Sequence, residues 1–481
     1  MLFNSTLFGM FLPVAVAGFW FLPFGFRKWW LLGISYIFYM SAVPKLASLL
    51  FLVTVINYLT GLWLDRWPGK RKLGIWISVT LNLGILAYFK YANFLLDSYM
   101  NLVQMLGGAR EFDALSILLP VGISFYIFIG MSYSIDCYRG TFKPVRDFSL
   151  FACFLSFFPQ LLAGPIVRAG QLIPQLRTAA PFRRDLFEEG LRLLMLGLFK
   201  KVLLADKLAP IANQGFTGIP NLTGTDAWVS ALAFTFQIYF DFSGYTDIAR
   251  GCAKLFGIEL PENFRLPYLA RNPREFWRRW HITLSTWLRD YLYISLGGNR
   301  RSKHRVYTNL MITMALGGLW HGAAWTFFVW GVYHGLLLVM HRKLLEFCEA
   351  VPSLDRFLET RLGEAVSVAT TFLLVSLGWV FFRADTFQDA LSLFAAMAGS
   401  LRMGPVTETL LDSHVPIFAA CLVLYHMLRV SSRRFAGFYP FLRRLWTYTA
   451  LSCLLLSVVY FTNYYPGKAE EHPEPFIYFQ F

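Results

Sequence analysis

Apolar residues in this chain come in long blocks separated by short, mostly basic connectors, not in the narrow stripes that mark helices of a water-soluble core. A membrane-spanning helix needs roughly 20 apolar residues. On that measure candidates lie near residues 5–24, 29–42, 46–64, 73–96, 115–138, 190–205, 228–250, 306–322, 323–341, 366–383 and 445–463, with a shorter one near 415–428. Residues 148–163 are apolar but run into Gly164-Pro165 and Arg168, the pattern of a re-entrant or interfacial piece. Backbone of that kind is tolerated at membrane depth only where it is buried in protein or lines a cavity. Segment 386–400 reads as an amphipathic surface helix. The pattern predicts an all-α polytopic membrane protein with about 11–12 transmembrane helices plus re-entrant or interfacial helices.

The connectors set an orientation, because cytoplasmic loops carry an excess of Lys and Arg. Arg66, Lys70, Arg71 and Lys72 mark one such loop, and Arg139, Lys143 and Arg146 another. Arg177, Arg183 and Arg184, the run 265–305, and Arg429, Arg433, Arg434, Arg443 and Arg444 complete the set. Counting crossings between them places both termini outside the cytoplasm. The weak point is 190–205, which holds Arg192, Lys200 and Lys201 and so reads as tilted or partly interfacial. With no internal repeat and no low-complexity linker, residues 1–481 read as one integral domain.

Composition narrows the class further. The chain is 56% hydrophobic and 18% aromatic but only 15% charged, against about a quarter charged in soluble proteins. That excludes a soluble enzyme, a disordered protein and a disulfide scaffold. The net charge of +15 fits basic cytoplasmic loops, and no soluble basic domain is present to bind nucleic acid. The six cysteines are scattered without metal-ligand spacing and read as small core residues. Arg27 is the first basic residue, so the N-terminal segment lacks the basic start of a cleavable signal and is expected to remain as a helix.

Two features carry candidate chemistry. Residues 265–305 hold ten Lys or Arg against Glu275 and Asp290, interleaved with Trp277, Trp280, Trp287, Tyr291 and Tyr293. One reading is an interfacial helix anchored by aromatics and anionic lipid. The other is a docking surface for a phosphate-bearing cytoplasmic donor, with Arg274, Arg278 and Arg279 as its forks. The second feature is a pair of histidines. His281 sits where this stretch turns apolar, and His321 lies in an apolar run flanked by Gly317, Gly318 and Gly322. An ionisable residue at membrane depth is costly and marks function by default. A histidine can act as a base near neutral pH, and it can equally hydrogen-bond a neighbouring helix. The glycines leave room for a substrate or for close helix packing. His334 reads as packing, and no ligand spacing calls for a metal. Asp241, Ser243 and Tyr245, with Asp247, are polar groups on an apolar helix that either line a tunnel or bond to neighbouring helices.

Four stretches are long and ordered: PQLLAGPIVR (159–168), YFDFSGYTDIARG (239–251), NFRLPYLARNPREFWRRWHITLSTWLRDYLYISLGGNR (263–300) and GGLWHGAAWTFFVWGVYHG (317–335). With the N-terminal helices they cover most of the chain, which resembles the membrane-bound O-acyltransferase (MBOAT) family in its bacterial alginate and cellulose O-acetylase branch. The resemblance implies a ring of helices around a central tunnel, with the core at about 115–345 between N-terminal helices 1–110 and C-terminal helices 366–463. It implies a multi-pass protein of the bacterial inner membrane, with acetyl-CoA as donor substrate and no bound cofactor. His321 matches the family's catalytic histidine and His281 its upstream partner. The implied partners are extracytoplasmic acetyltransferase proteins of an exopolysaccharide complex, besides membrane lipid. Acetyl transfer to a hydroxyl needs a base and donors for the developing oxyanion, which His321 and backbone N–H groups can supply. Other readings are a transporter or polymer-export pore without covalent chemistry, or a family member acting on teichoic acid, lipid or protein.

The extracytoplasmic tail, 464–481, ends in FIYFQF, with four aromatics in six residues. Too short to span a bilayer, it must dock into the protein, a partner or the interface, and an anchor is one reading. Similar tails in the branch imply another, in which Tyr478 accepts the acetyl group with His321 as base and passes it to a partner enzyme. A phenol with a pKa of about 10 makes an ester easier to cleave than an alkyl one.

Overall fold

The computed structural model describes residues 1–41, 44–108, 115–178, 181–300, 302–417, 419–420, 422 and 476–477. The predicted segments at 445–463 and, apart from a few residues, 415–428 lie outside them. The described residues are mostly helical, with no strand among them. The N-terminal helices are α1 (Thr6–Phe21), α2 (Phe24–Met40) and α3 (Ala47–Arg66), then α4 (Arg71–Leu86) and α5 (Ala92–Met105). The Ser5 hydroxyl caps α1 by accepting the Phe8 N–H, and Pro23 opens α2. A π-helical turn, Ala87–Tyr91, joins α4 to α5 in one 38-residue run from Pro68 to Met105. Helix α6 (Ile123–Arg139) starts eight residues later than the apolar pattern predicts, because Gly122 adopts φ 77° just after Pro120.

Next come three short helices, α7 (Phe148–Ser156), α8 (Phe158–Leu161) and α9 (Ala169–Arg177). The apolar stretch 148–163 is thus broken and almost wholly buried, which is how irregular backbone survives at membrane depth. Helices α10 (Arg184–Leu198) and α11 (Asp206–Thr217) are joined by a π-helical segment, Phe199–Ala205, and pack on the 32-residue α12 (Gly224–Leu255). Short helices α13 (Pro273–Arg279) and α14 (Ile282–Trp287) lead into α15 (Lys303–His321) and α16 (Trp325–Ala350). The described chain continues through α17 (Pro352–Leu358), α18 (Arg361–Arg383), α19 (Phe387–Met397) and α20 (Pro405–Asp412). Helix α19 fits the amphipathic reading of 386–400, with Ala390, Leu393 and Met397 buried.

Close packing rests on small residues, as expected where lipid removes the hydrophobic drive between helices. A Cβ on Gly190 would stand 2.9 Å from the Gly251 carbonyl oxygen, and one on Gly244 would stand 2.8 Å from that of Gly197. That approach brings the cations of 190–205 against the acids of α12. Lys200 pairs with Asp247 at 2.7 Å, and Lys201 with Asp241 at 2.6 Å and Asp206 at 2.8 Å. Both lysines are buried. The segment is therefore paired inside the protein, and its charges are no mark of an interfacial position.

Candidate active site

His281 and His321 come together from different elements, with ring centroids 6.2 Å apart and both side chains buried. His281 occupies the break between α13 and α14 at φ 40°, a left-handed conformation uncommon for a non-glycine residue. Asn263 holds that turn: its carbonyl accepts the Ile282 N–H, and its side-chain oxygen accepts both the N–H and hydroxyl of Thr283, at 3.1 and 2.7 Å. The Phe242 ring meets the imidazole edge-on at 4.7 Å, and Phe125 lies parallel to it at 6.4 Å. Backbone strain maintained by surrounding bonds clusters at functional sites.

His321 is the last residue of α15. Its glycines serve helix packing: a Cβ on Gly318 would meet the Gly331 backbone at 3.0 Å, and one on Gly322 would enter the Phe327 ring. Trp320, Trp330 and Phe382 enclose the imidazole edge-on at centroid distances of 5.1–5.4 Å. The open side faces a cavity of about 100 Å³, lined by Lys90, Pro120, Gly122, Phe125, Leu162 and Trp320 among others. A larger cavity of about 230 Å³, beside Arg27, Lys28, Asp147 and Arg177, shares no lining residue with it. The smaller cavity is the candidate site, chosen for its histidine and not for its size.

Lys90 is the residue that the sequence reading missed. It is the lone charge within apolar segment 73–96 and belongs to the π-helical turn. Its ammonium donates to the carbonyl oxygens of Trp320 at 2.7 Å and His321 at 2.9 Å, and the Tyr91 hydroxyl donates to that of Leu319 at 2.7 Å. The signal was present, since a lone lysine at membrane depth needs explaining, but counting apolar residues averaged it away.

The other candidates separate. Arg274 and Arg278 are exposed on α13, while Arg279 pairs with Glu275 at 2.6 Å. Asp241, Ser243 and Tyr245 are buried and absent from the cavity lining at His321. Asp241 instead pairs with Lys201 and accepts the Ile477 N–H at 2.8 Å. The Phe476 ring stands edge-on to Tyr245 at 4.5 Å and under the Lys201 ammonium at 4.5 Å. The tail thus docks into the protein at Phe476 and Ile477, both buried; Tyr478 itself lies outside the described residues. His334 is buried against Trp277, Trp330 and Phe276.

A buried histidine at the wall of a cavity, with a second histidine 6.2 Å away inside a helical fold rich in apolar helices, is an arrangement that can serve proton transfer. Residues 36–366 match the model of the MBOAT, membrane-bound O-acyltransferase family, and the chain belongs to that family. It is 45% identical over 402 residues to a probable alginate O-acetylase, AlgI, of Azotobacter vinelandii, covering 82% of this chain and 78% of that one. The AlgI of Pseudomonas aeruginosa is 43% identical over 82% of this chain and 75% of its own. A peptidoglycan O-acetyltransferase of Helicobacter pylori is 34% identical over 100% of this chain and 98% of its own. The protein is an acyltransferase with the polytopic membrane fold of its family, and an O-acetyltransferase within it.

Proposed function

We propose that the chain is a multi-pass protein of the bacterial inner membrane that takes acetyl from cytoplasmic acetyl-CoA for O-acetylation of an exopolysaccharide outside. His321 is the base: it removes the proton of the attacking hydroxyl as that oxygen bonds to the thioester carbonyl carbon. Collapse of the tetrahedral adduct breaks the C–S bond, and the imidazolium returns the proton to sulfur, releasing the thiol. The observation that carries this reading is the buried His321 at the wall of the cavity, 6.2 Å from His281. His281 orders the wall around it. Arg274 and Arg278, free of the Glu275 pair that engages Arg279, suit the phosphates of the donor. In this reading, which rests on the family resemblance, Tyr478 takes the acetyl group and hands it to an extracytoplasmic partner enzyme; the residues just before it dock against Asp241.

The acceptor polymer is of the alginate type, following the identity to the probable alginate O-acetylases, with the cellulose type resting on the family resemblance alone. A second reading, peptidoglycan as acceptor, is favoured by the match over the whole chain to the Helicobacter pylori enzyme. Acetate content of secreted polymer and of purified peptidoglycan, compared between the parent strain and His321→Ala, tests both. The proposal requires the variant protein to accumulate while acetate disappears from one of the two; unchanged acetate in both refutes the role of His321.

A further inference from the structure

We propose that Lys90 is a further residue of the acetyl-transfer site, positioning His321 and placing a cation where the oxyanion of the tetrahedral adduct forms. This rests on the reading above, in which a hydroxyl attacks a thioester at His321. The last carbonyls of a helix have no intrahelical partner and carry the negative end of its dipole. In α15 the last three of those groups belong to Leu319, Trp320 and His321, and the π-helical turn Ala87–Tyr91 supplies a donor to each. A π-bulge inserted in an otherwise regular helix frequently accompanies function. Here it places Lys90 and Tyr91 side by side at the end of α15.

Capping alone does not account for a lysine. The Tyr91 hydroxyl shows that a neutral donor serves the same end of the same helix, whereas a charge among apolar helices is expensive. An ammonium has three donors, and Lys90 commits two of them, to the carbonyls of Trp320 and His321. Lys90 also lines the cavity, where it is the only Lys or Arg among the described lining residues. Its third N–H and its charge are therefore available to the reacting carbonyl. When the acceptor oxygen bonds to the carbonyl carbon, the C=O electron pair moves onto the carbonyl oxygen, and Lys90 stabilises it there. The pair returns as the thiolate leaves, so Lys90 keeps its proton throughout while His321 carries the one that moves. Fixed donors aimed at such an oxygen act mainly on the transition state.

The test uses full-length protein in lipid nanodiscs, with acetyl-CoA as donor, an alginate oligosaccharide supplying the acceptor hydroxyl, and released thiol as readout. Lys90→Met keeps the length and removes the charge. The proposal predicts kcat lowered by about 100- to 1000-fold, KM within about threefold of the parent, and Lys90→Arg recovering at least tenfold of the loss. A folded Lys90→Met protein with kcat near that of the parent, or with only KM changed, overturns it. If Lys90→Met does not accumulate, Lys90→Arg is compared with Lys90→Gln, since both donate to the carbonyls and only Arg is charged. Equal kcat in those two overturns the charge role, and tenfold higher kcat in Lys90→Arg supports it. His321→Ala run alongside separates the two readings. If it is inactive while Lys90→Met is active, only the Lys90 proposal fails; if His321→Ala is active, the site assignment itself fails.

Discussion

Substituting Gly331 by Ala probes whether the α15–α16 hairpin sets the position of His321. A Cβ at that position would stand 3.0 Å from the Ala315 Cα and from the Met314 carbonyl carbon, and closer still to the Met314 oxygen. These are backbone atoms, which cannot swing aside, and ordinary contact begins at 3.4 Å. The Met314 oxygen is the limiting contact, and clearing it requires the two helices to part by about 1 Å. Two effects oppose each other. Replacing Gly by Ala inside a helix gains about 0.5–1 kcal/mol, whereas overpacking a filled interface costs about 1–3 kcal/mol. Strain wins, leaving about 1–2 kcal/mol of destabilisation, read as a lower melting temperature in detergent. Activity should fall further, because His321 ends one of the parting helices, and a misplacement of 1 Å costs up to about 100-fold. A loss of between about 10- and 100-fold in kcat is expected for a shift of that size. Gly317→Ala is the control: its Cβ would meet only the end of the Leu288 side chain, Cδ1 at 3.0 Å, which can rotate away. Parental stability and kcat in Gly331→Ala, or equal damage from Gly317→Ala, would refute the reasoning.

The remaining predictions concern the tail and the donor. Asp241→Ala removes the acceptor of the Ile477 N–H and leaves Lys201 with Asp206 alone among the described carboxylates; a loss near the lower end of about 3–5 kcal/mol and faster carboxypeptidase trimming of the C-terminus are expected, and unchanged trimming contradicts the docking. Replacing Arg274 and Arg278 together with Gln should raise KM for acetyl-CoA about 10- to 100-fold with kcat preserved, as for lost charged hydrogen bonds. Arg279→Gln should act on stability instead, because its guanidinium is held by Glu275. Tyr478→Phe should abolish polymer acetylation, and the parent should carry an acetyl mass on its C-terminal peptide; normal acetylation in the variant leaves the tail as an anchor.

Apolar run length located the helices well because burial at membrane depth leaves few alternatives to a helix. The segments expected at 228–250 and 366–383 became Gly224–Leu255 and Arg361–Arg383, longer only at their ends. It failed where hydropathy says nothing about backbone. The stretch before Ile123 is apolar yet not helical, since Pro120 and the left-handed Gly122 delay the start. His281 and His321 were legible as ionisable groups in apolar surroundings, but their approach to 6.2 Å depends on a turn held by Asn263, 18 residues before His281. The partners of Lys200 and Lys201 lie in α12, so their role needed the pairing of helices. Lys90 acts across 230 residues of chain, a relation that no local pattern encodes.

The central claim is that His321 drives acetyl transfer out of acetyl-CoA. Purified protein in nanodiscs, given acetyl-CoA labelled in the acetyl group, offers the most direct measurement: release of free thiol together with label retained on protein or acceptor. The account predicts both for the parent protein and neither above background for a folded His321→Ala variant. Equal thiol release and equal labelled product from the two proteins would contradict it.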